Sequence, residues 1–318
     1  MNMSIHSEIL KSEERIRPYI RRTPFISSAS FAELIDTEVW FKLESLQITG
    51  SFKARGAVNK LLSLSDDKRE NGVISASTGN HGAAVAYGAQ QLGIQCTIFV
   101  PQDTSPAKLE NMNLYGAEIE HFGNDCIDCE KKGRDESNKT GKTYISPYND
   151  PYVIAGQGTV GVEIEDQGDK LDVLIVSLGG GGLISGVASY LKSTWPDIHV
   201  IGCSPKNSAV MIHSMEAGKI LDLESKPTLS DGTAGGVEKD SITFPICCEM
   251  IDETVMVTEK EISEAMVLYM KYEHQLLEGA AGAAVAAMLQ KKQNLKAKKV
   301  GVVICGGNIS LNTLKGLL

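Results

Sequence analysis

The sequence predicts an α/β protein with two open, mainly parallel twisted sheets and helices on both faces of each. Short apolar, often β-branched runs alternate with helix-like segments along the 318 residues. The runs are apolar at consecutive positions, and strands that are apolar on both faces belong to parallel sheets covered by helices. Right-handed crossovers bring every strand-to-helix loop to one edge of a sheet, where ligands bind.

One stretch of the chain, residues 50–145, is predicted to form the smaller sheet. Its predicted strands are Gly72–Ala76, Cys96–Val100 and Glu118–Phe122. Proline costs no hydrogen bond at a first helical position, which favours a helix that starts at Pro106. The predicted helices of this stretch are Ala54–Leu64, His81–Leu92, Pro106–Tyr115 and Asn124–Thr140.

The rest of the chain is predicted to form the larger sheet. Its strands are Val39–Leu43, Leu171–Ser177, His199–Ser204 and Lys299–Ile304, and its helices are Ile184–Ser193, Glu259–Glu273 and Gly279–Gln293. Leu276–Leu289 is the most apolar segment, and we interpret it as a buried Ala-rich helix. We expect a small domain of residues 48–145 inserted into a large domain made of residues 1–47 and 146–318.

Composition excludes several classes of protein. With 31 basic and 40 acidic residues the net charge is −9, which argues against a nucleic-acid binder. No run reaches the roughly 18 apolar residues of a membrane span, and no secretory signal is visible. The seven cysteines, in a chain without an export signal, predict reduced thiols and a cytoplasmic protein. The 31 glycines are in excess, and they concentrate in three strand-to-helix loops.

The first loop, Gly179–Gly182, follows a strand and precedes a helix. Its backbone N–H groups carry no Cβ in front of them and lie at the positive end of a helix, which is typical of a phosphate site. A tight turn required by packing is the alternative, and four consecutive glycines exceed what a turn needs.

A lysine and a polar loop are the other candidates for chemistry. Lys53 has apolar neighbours, Phe52 and Ala54, and a lysine with a lowered pKa can form a Schiff base. The loop Ser75–Gly82 offers hydroxyls, an amide and N–H groups that could hold a carboxylate. Taken alone, a surface lysine and an N-cap cluster are the simpler interpretations.

Together the motifs resemble those of a known family. TGSFKARG, STGNHG, GGGGL and CGGN occur in this order, with AGQGT and DGT between them. The series resembles the fold type II pyridoxal-phosphate enzymes, which have the tryptophan synthase β-like fold. Among these it is most similar to threonine dehydratases and serine racemases. The resemblance extends from Arg22 to Asn308.

The resemblance implies pyridoxal 5'-phosphate as the cofactor, held by the large domain. It implies that Lys53 bonds to the cofactor and moves the substrate α-proton, with Thr78 as a second candidate catalytic residue. The implied cofactor-binding residues are Phe52, Lys53, Asn80, Gly179, Gly180, Gly181, Gly182, Leu183, Gly232, Glu278 and Cys305. The implied ligands of the substrate carboxylate are Ser77, Thr78, Asn80 and His81.

The activity implied is dehydration of a β-hydroxy amino acid, most simply L-threonine or L-serine, to a 2-oxo acid and ammonia. A neutral thiol at Cys305, beside the pyridine nitrogen, leaves the ring a weaker electron sink and favours elimination over transamination. Alternatives are a serine racemase, although racemases carry serine at the position of Thr78, and a dehydratase of hydroxyaspartate, phenylserine or a hydroxyectoine-derived compound. A sensor that kept the fold without the activity is a third.

The expected partners are a small amino-acid substrate and a second copy of the chain in a homodimer. We expect no divalent-metal site, because the stretch Ser204–Val210, which matches the cation site of serine racemases, lacks carboxylates at both of its ends.

Overall fold

The computed structural model describes residues 5–318, apart from the side chains of Ala107 and Lys108. Within this range ten strands form one sheet of six strands and one of four, as the α/β prediction requires. In chain order the strands are β1 (Phe25–Ser27), β2 (Glu38–Leu43), β3 (Val73–Ala76), β4 (Cys96–Val100), β5 (Glu118–His121), β6 (Thr143–Tyr144), β7 (Val173–Ser177), β8 (His199–Pro205), β9 (Glu253–Val257) and β10 (Lys299–Ile304).

Helices connect the strands and cover both sheets. They are α1 (Ile5–Ile16), α2 (Ala29–Ile35), α3 (Lys53–Leu62), α4 (Asp66–Asn71), α5 (Asn80–Leu92), α6 (Pro106–Leu114), α7 (Cys126–Thr140), α8 (Pro151–Gln167), α9 (Gly182–Thr194), α10 (Val210–Ala217), α11 (Thr243–Met250), α12 (Glu259–Glu273), α13 (Gly279–Gln290) and α14 (Leu311–Leu317). None of these helices combines the length and the apolar character that crossing a bilayer requires.

The strand order confirms the mainly parallel sheets. The six-stranded sheet runs β1-β2-β10-β7-β8-β9 and the four-stranded sheet β5-β4-β3-β6. All neighbours are parallel except β1 and β2. The four-stranded sheet uses only residues between Val73 and Tyr144, which supports the proposed division into residues 48–145 and the rest.

Several predicted boundaries were wrong by one to three residues. The helix expected over Gly279–Gln293 ends at Gln290 and continues as a 3-10 turn. Leu276 lies outside that helix with 51% of its surface exposed, so the apolar run overstated the helix. The helix expected from Ala54 begins one residue earlier, which makes Lys53 its first residue.

Helix α8 packs against both α3 and α9 and so brings the N-termini of these two helices together. A Cβ on Gly156 of α8 would lie 2.6 Å from the backbone oxygen of Arg55 in α3. A Cβ on Gly186 of α9 would lie 2.5 Å from the backbone nitrogen of Gly158 in α8. The three helices therefore pack backbone against backbone, which only glycine permits.

A buried ionic network ties α3 to the same helix. Arg55, fully buried, pairs with Glu44 just after β2 (2.8 Å) and with Glu163 of α8 (2.9 Å). The ammonium of Lys42 in β2 also reaches Glu163 at 2.6 Å. Buried charges are tolerated when they are paired and hydrogen-bonded. The network therefore fixes the direction of α3, whose first residue is Lys53.

We predict that Gly186→Ala destabilises the protein. The new methyl group would meet backbone atoms of α8 that have no rotamer to escape to, and overpacking of this kind costs about 1–3 kcal/mol. Gly316→Ala, in α14 with open space around it, is the matched control and should be neutral or slightly stabilising. Urea unfolding of both variants measures the difference. Equal midpoints would contradict the proposed packing.

Candidate active site at the strand ends

The segment before Lys53 is fixed on the loop that follows β10. Ser51 forms a bridge with Gly306. The N–H of Phe52 donates to the carbonyl of Cys305 at 3.1 Å, and the N–H of Gly307 donates to the carbonyl of Gly50 at 2.9 Å. These contacts bring the TGSFKARG and CGGN motifs together at one edge of the six-stranded sheet.

Lys53 lies at the centre of the candidate site. Its ammonium donates to the carbonyl of Pro147 at 2.9 Å and lies 5.2 Å from the ring centre of Phe52. Burial lowers the pKa of Lys53 to about 8, and the charges of Cys305, Glu278 and Glu130 oppose this shift. The lowered pKa agrees with a Schiff-base lysine, because the neutral amine is the nucleophile. Its cause is burial rather than neighbouring cations.

A chain of side chains joins the STGNHG and CGGN loops. The amide nitrogen of Asn80 donates to both carboxylate oxygens of Glu278, at 2.8 and 3.0 Å. The oxygen of Asn80 accepts from the amide of Asn308 at 2.7 Å, and the same amide donates to the carbonyl of Thr49. Asn308 was not among the predicted site residues, although it closes the CGGN motif. Both ends of the Asn80 amide are therefore held in place.

Glu278 is a buried carboxyl on the floor of the site. Burial raises its pKa to about 7, while the hydrogen bond from Asn80 lowers it and the charge of Asp231 raises it. A Cβ on Gly306 would lie 2.6 Å from this carboxyl group, and one on Gly232 would lie 3.5 Å from it. The structure thus brings Gly232 and Glu278 together beside the end of β10.

Cys305 directly follows the strand β10 and is almost completely buried. Burial raises the pKa of its thiol well above the ordinary value, and the negative charge of Glu278 adds to the effect. The thiol is therefore neutral at physiological pH. This is the protonation state expected from the sequence for the group beside a pyridine nitrogen.

Packing requires each glycine of the Gly179–Gly182 loop, so packing explains more of this glycine run than expected from the sequence. A Cβ on Gly180 or Gly182 would meet Tyr148 at 2.4 or 2.9 Å. A Cβ on Gly179 would meet Thr233 at 2.9 Å, and one on Gly181 would meet the sulfur of Cys247 at 2.8 Å. Gly181 also has φ +85°, which other residues rarely adopt.

The same loop presents a cradle of N–H groups. Within residues 5–318, the backbone nitrogens from Gly179 to Leu183 have no main-chain acceptor. They surround the N-terminus of α9, where the helix dipole favours an anion. Together with the half-buried amine of Lys53, this donor set fits the phosphate and the aldehyde of pyridoxal phosphate.

The predicted carboxylate ligands Ser77, Thr78 and His81 surround the N-terminus of α5. Ser77 and Thr78 are half-buried, and Ser77 accepts from the N–H of Gly79 at 3.2 Å. The His81 ring nitrogen Nε2 lies 2.9 Å from the carbonyl of Ile145, so it must carry the proton. Burial lowers the pKa of His81 to about 3. The His81 ring is neutral and is turned to Ile145. The donors that remain for a carboxylate are therefore the backbone N–H groups in the first turn of α5.

We predict that His81 makes the fold sensitive to acid. Its pKa in the folded chain, about 3, lies below the ordinary 6.5, so the unfolded chain binds the proton more tightly. The resulting stability is complete above pH 6.5 and is lost as the pH falls, by about 2 kcal/mol at pH 5. In His81→Asn the urea-unfolding midpoint should change less between pH 7 and pH 5 than it does in the parent protein. His213→Asn, on the surface, is the control. A midpoint that changes with pH in His81→Asn as much as in the parent protein would refute the assignment.

Comparison with known proteins identifies the family. The sequence family described as "Pyridoxal-phosphate dependent enzyme" matches residues 16–306. The L-threonine ammonia-lyase of Thermotoga maritima is 39% identical over 311 residues, covering 98% of this chain and 77% of that protein. A catabolic L-threonine dehydratase of Staphylococcus aureus is 38% identical over 315 residues, covering 98% and 91%.

Solved structures agree with this result. Maize serine racemase superposes with a TM-score of 0.92 at 34% identity, covering 98% of this chain and 95% of that one. The processed threonine deaminase isoform 2 of Solanum lycopersicum gives a TM-score of 0.94 at 30% identity, covering 98% and 91%. With the matched family spanning most of its length, this chain belongs to the pyridoxal-phosphate-dependent enzymes and has their type II fold.

Proposed function

We propose that the protein is an ammonia-lyase that converts a β-hydroxy amino acid, most simply L-threonine or L-serine, to a 2-oxo acid and ammonia. The observation that carries the proposal is the half-buried Lys53 amine at the Pro147 carbonyl, whose pKa of about 8 suits proton transfer near neutral pH. Relatives at 38–39% identity that are named L-threonine ammonia-lyase or L-threonine dehydratase support it.

In this proposal each part of the site has one task. The N–H groups from Gly179 to Leu183 bind the phosphate, and Phe52 packs beside the ring. Asn80, held by Glu278, hydrogen-bonds the ring hydroxyl. When bound, the cofactor supplies the electron sink that makes the substrate α-proton acidic. The remaining steps belong to the substrate and to Lys53.

The substrate carboxylate binds at the N-terminus of α5, with the hydroxyls of Ser77 and Thr78 and the first-turn N–H groups as donors. Lys53 then removes the α-proton, and the β-hydroxyl leaves as water. The neutral Cys305 thiol does not hold a proton on the pyridine nitrogen, which favours this elimination. The dehydrated amino acid is then released, and water hydrolyses it to the oxo acid and ammonia. The water lost and the water taken up cancel, so the net change is loss of ammonia.

Serine racemisation is the second candidate function. The superposition on maize serine racemase and the half-buried Thr78 hydroxyl favour it. A racemase needs a second acid or base opposite Lys53, and the methyl group of Thr78 crowds that position. Chiral analysis of serine after incubation separates the two, because D-serine would accumulate only in a racemase.

We also propose a cytoplasmic homodimer without a divalent-metal site. Six of the seven cysteines, all but Cys126, are described as free thiols, which fits a reducing compartment. The hydroxyl of Ser204 donates to the carbonyl of Leu178 at 2.6 Å instead of facing a cation site. The dimer rests on the family resemblance, and the mass of the protein in solution tests it.

The protein loaded with pyridoxal phosphate should absorb at long wavelength and release 2-oxobutanoate and ammonia from L-threonine. In Lys53→Ala we expect the band to be lost and the rate to fall by at least about 10³-fold, because both the covalent bond and the base are removed. Lys60→Ala, on the same helix and paired with Asp150 at 2.6 Å, is the matched control. A colourless loaded protein, or an active Lys53→Ala, would overturn the proposal, and a coloured protein without turnover would favour the sensor.

A further inference from the structure

A cluster of charged and phenolic groups lies beside Lys53, on the side of the site that the proposed mechanism leaves unused. We call it the α7 cluster. Its members are Glu130, Arg134, Tyr144, Tyr148 and Glu238. Glu130 and Arg134 are four residues apart on α7, so they share one face of that helix.

The large-sheet side of the cluster is held firmly. Tyr148 follows Pro147, whose carbonyl accepts the Lys53 ammonium, and its ring covers the glycine loop. The Tyr148 hydroxyl accepts from the N–H of Glu238 at 2.9 Å, and the amide of Asn149 donates to the Glu238 carboxylate at 2.8 Å. Glu238 is thereby held beside Tyr148 and Asn149, where it faces α7.

The α7 side contributes a cation and a second carboxylate. Arg134 lies 2.8 Å from the carboxylate of Glu238 and stacks 4.4 Å from the ring centre of Tyr144. Glu130 is close enough to Lys53 for each charge to shift the other's pKa. Among the side chains that the structure describes, no cation lies within ion-pairing distance of Glu130.

The charges of the cluster do not balance. The two carboxylates, Glu130 and Glu238, share one guanidinium, that of Arg134, which pairs with Glu238. Burial and the charge of Glu238 raise the pKa of Glu130, which shows that the negative charge is held at a cost. The hydroxyl of Tyr144 is buried without a hydrogen-bond partner among the described residues, so it is available to a polar group of a ligand.

Substrate orientation brings the cluster into play. The carboxylate end of the substrate faces the N-terminus of α5, and the α-carbon faces Lys53. The other side of the Lys53 amine is formed by Pro147 and Tyr148, and Tyr148 leads through Glu238 to α7. We propose, resting on the ammonia-lyase function above, that the α7 cluster binds the side chain of the substrate and selects β-hydroxy amino acids with a cationic side chain.

The chemistry is that of the proposed elimination. The C–H bond at the α-carbon and the C–O bond at the β-carbon break, water leaves, and hydrolysis returns one water and releases ammonia. The β-carbon loses its hydroxyl and gains a proton, the group beyond it is unchanged, and no oxidant or reductant is needed. The cluster affects only which substrate is bound and oriented.

Four substrates test the proposal on the cofactor-loaded full chain. 2,4-Diamino-3-hydroxybutyrate carries a CH₂NH₃⁺ group, and 3-hydroxynorvaline is its neutral isostere. Threonine is the small neutral reference, and 3-hydroxyaspartate carries a carboxylate. We expect kcat/KM for the diamino acid to exceed that for the isostere by about tenfold, because one ion pair forms in a partly desolvated site. Hydroxyaspartate should be the poorest of the four.

Two variants with opposite expected effects assign the preference to the cluster. In Glu130→Gln the ratio of kcat/KM for the diamino acid to that for hydroxynorvaline should fall toward one. In Glu238→Gln the released Arg134 should raise kcat/KM for hydroxyaspartate relative to threonine by about tenfold. Glu136→Gln is the matched control, since Glu136 lies on α7 but pairs with Lys132. Its ratios should equal those of the parent.

The outcomes separate this inference from the proposed function. Turnover of threonine and hydroxynorvaline with no preference for the diamino acid, or a preference that Glu130→Gln leaves intact, refutes the inference alone. A preference for hydroxyaspartate in the parent protein refutes it as well, because Arg134 would then dominate. No oxo acid from any of the four substrates with a coloured, loaded protein refutes the ammonia-lyase function itself.

Discussion

The backbone contact of α8 with α3 and α9 is the constraint on which the site depends. Gly156 and Gly158 let the three helices approach without side chains between them, and Gly186 does the same from α9. Lys53 is the first residue of α3, and Gly182 is the first of α9. The separation of the Lys53 amine from the N–H groups of the Gly179–Gly182 loop is therefore set by helix packing, and the ionic network of Arg55 and Glu163 keeps α3 from turning.

Burial is the second common feature of the site. It favours the neutral form of each ionisable group in the pocket, since a charge loses its hydration there. The pKa of Lys53 and that of His81 fall, whereas the pKa of Glu278 and that of Cys305 rise. A pocket of near-neutral groups suits proton transfer at neutral pH. Burial also raises the pKa of Glu130 in the α7 cluster, but Arg134, which is more exposed, keeps an ion pair with Glu238 there.

Sequence reasoning recovered the parts of the fold that depend on local pattern. Strands such as β7, apolar at nearly every position, and the glycine loops at the strand ends were predictable because burial on both faces leaves a continuous apolar run. The edge strands β1 and β6 have two or three residues each, too few to show a period. Helix α8 was missed as a helix, because its three glycines lower the helix propensity that tertiary packing then overrides.

The candidate site likewise contains residues that a local motif reveals and residues that only tertiary contacts reveal. Lys53 and the glycine loop could be found from motif order, since each has a spacing that its chemistry requires. Asn308, Glu130 and Arg134 could not, because their roles come from contacts between segments far apart in sequence. The same is true of the His81 ring, whose direction is set by the carbonyl of Ile145.

Reduction of the cofactor-loaded protein with borohydride, followed by peptide mass mapping, tests the central claim most directly. The reagent converts a Schiff base into a stable secondary amine, so the attached lysine keeps the pyridoxyl group through digestion. The account predicts one label per chain, on the peptide that contains Lys53. A label on a different lysine, or one spread over several surface lysines, would contradict it.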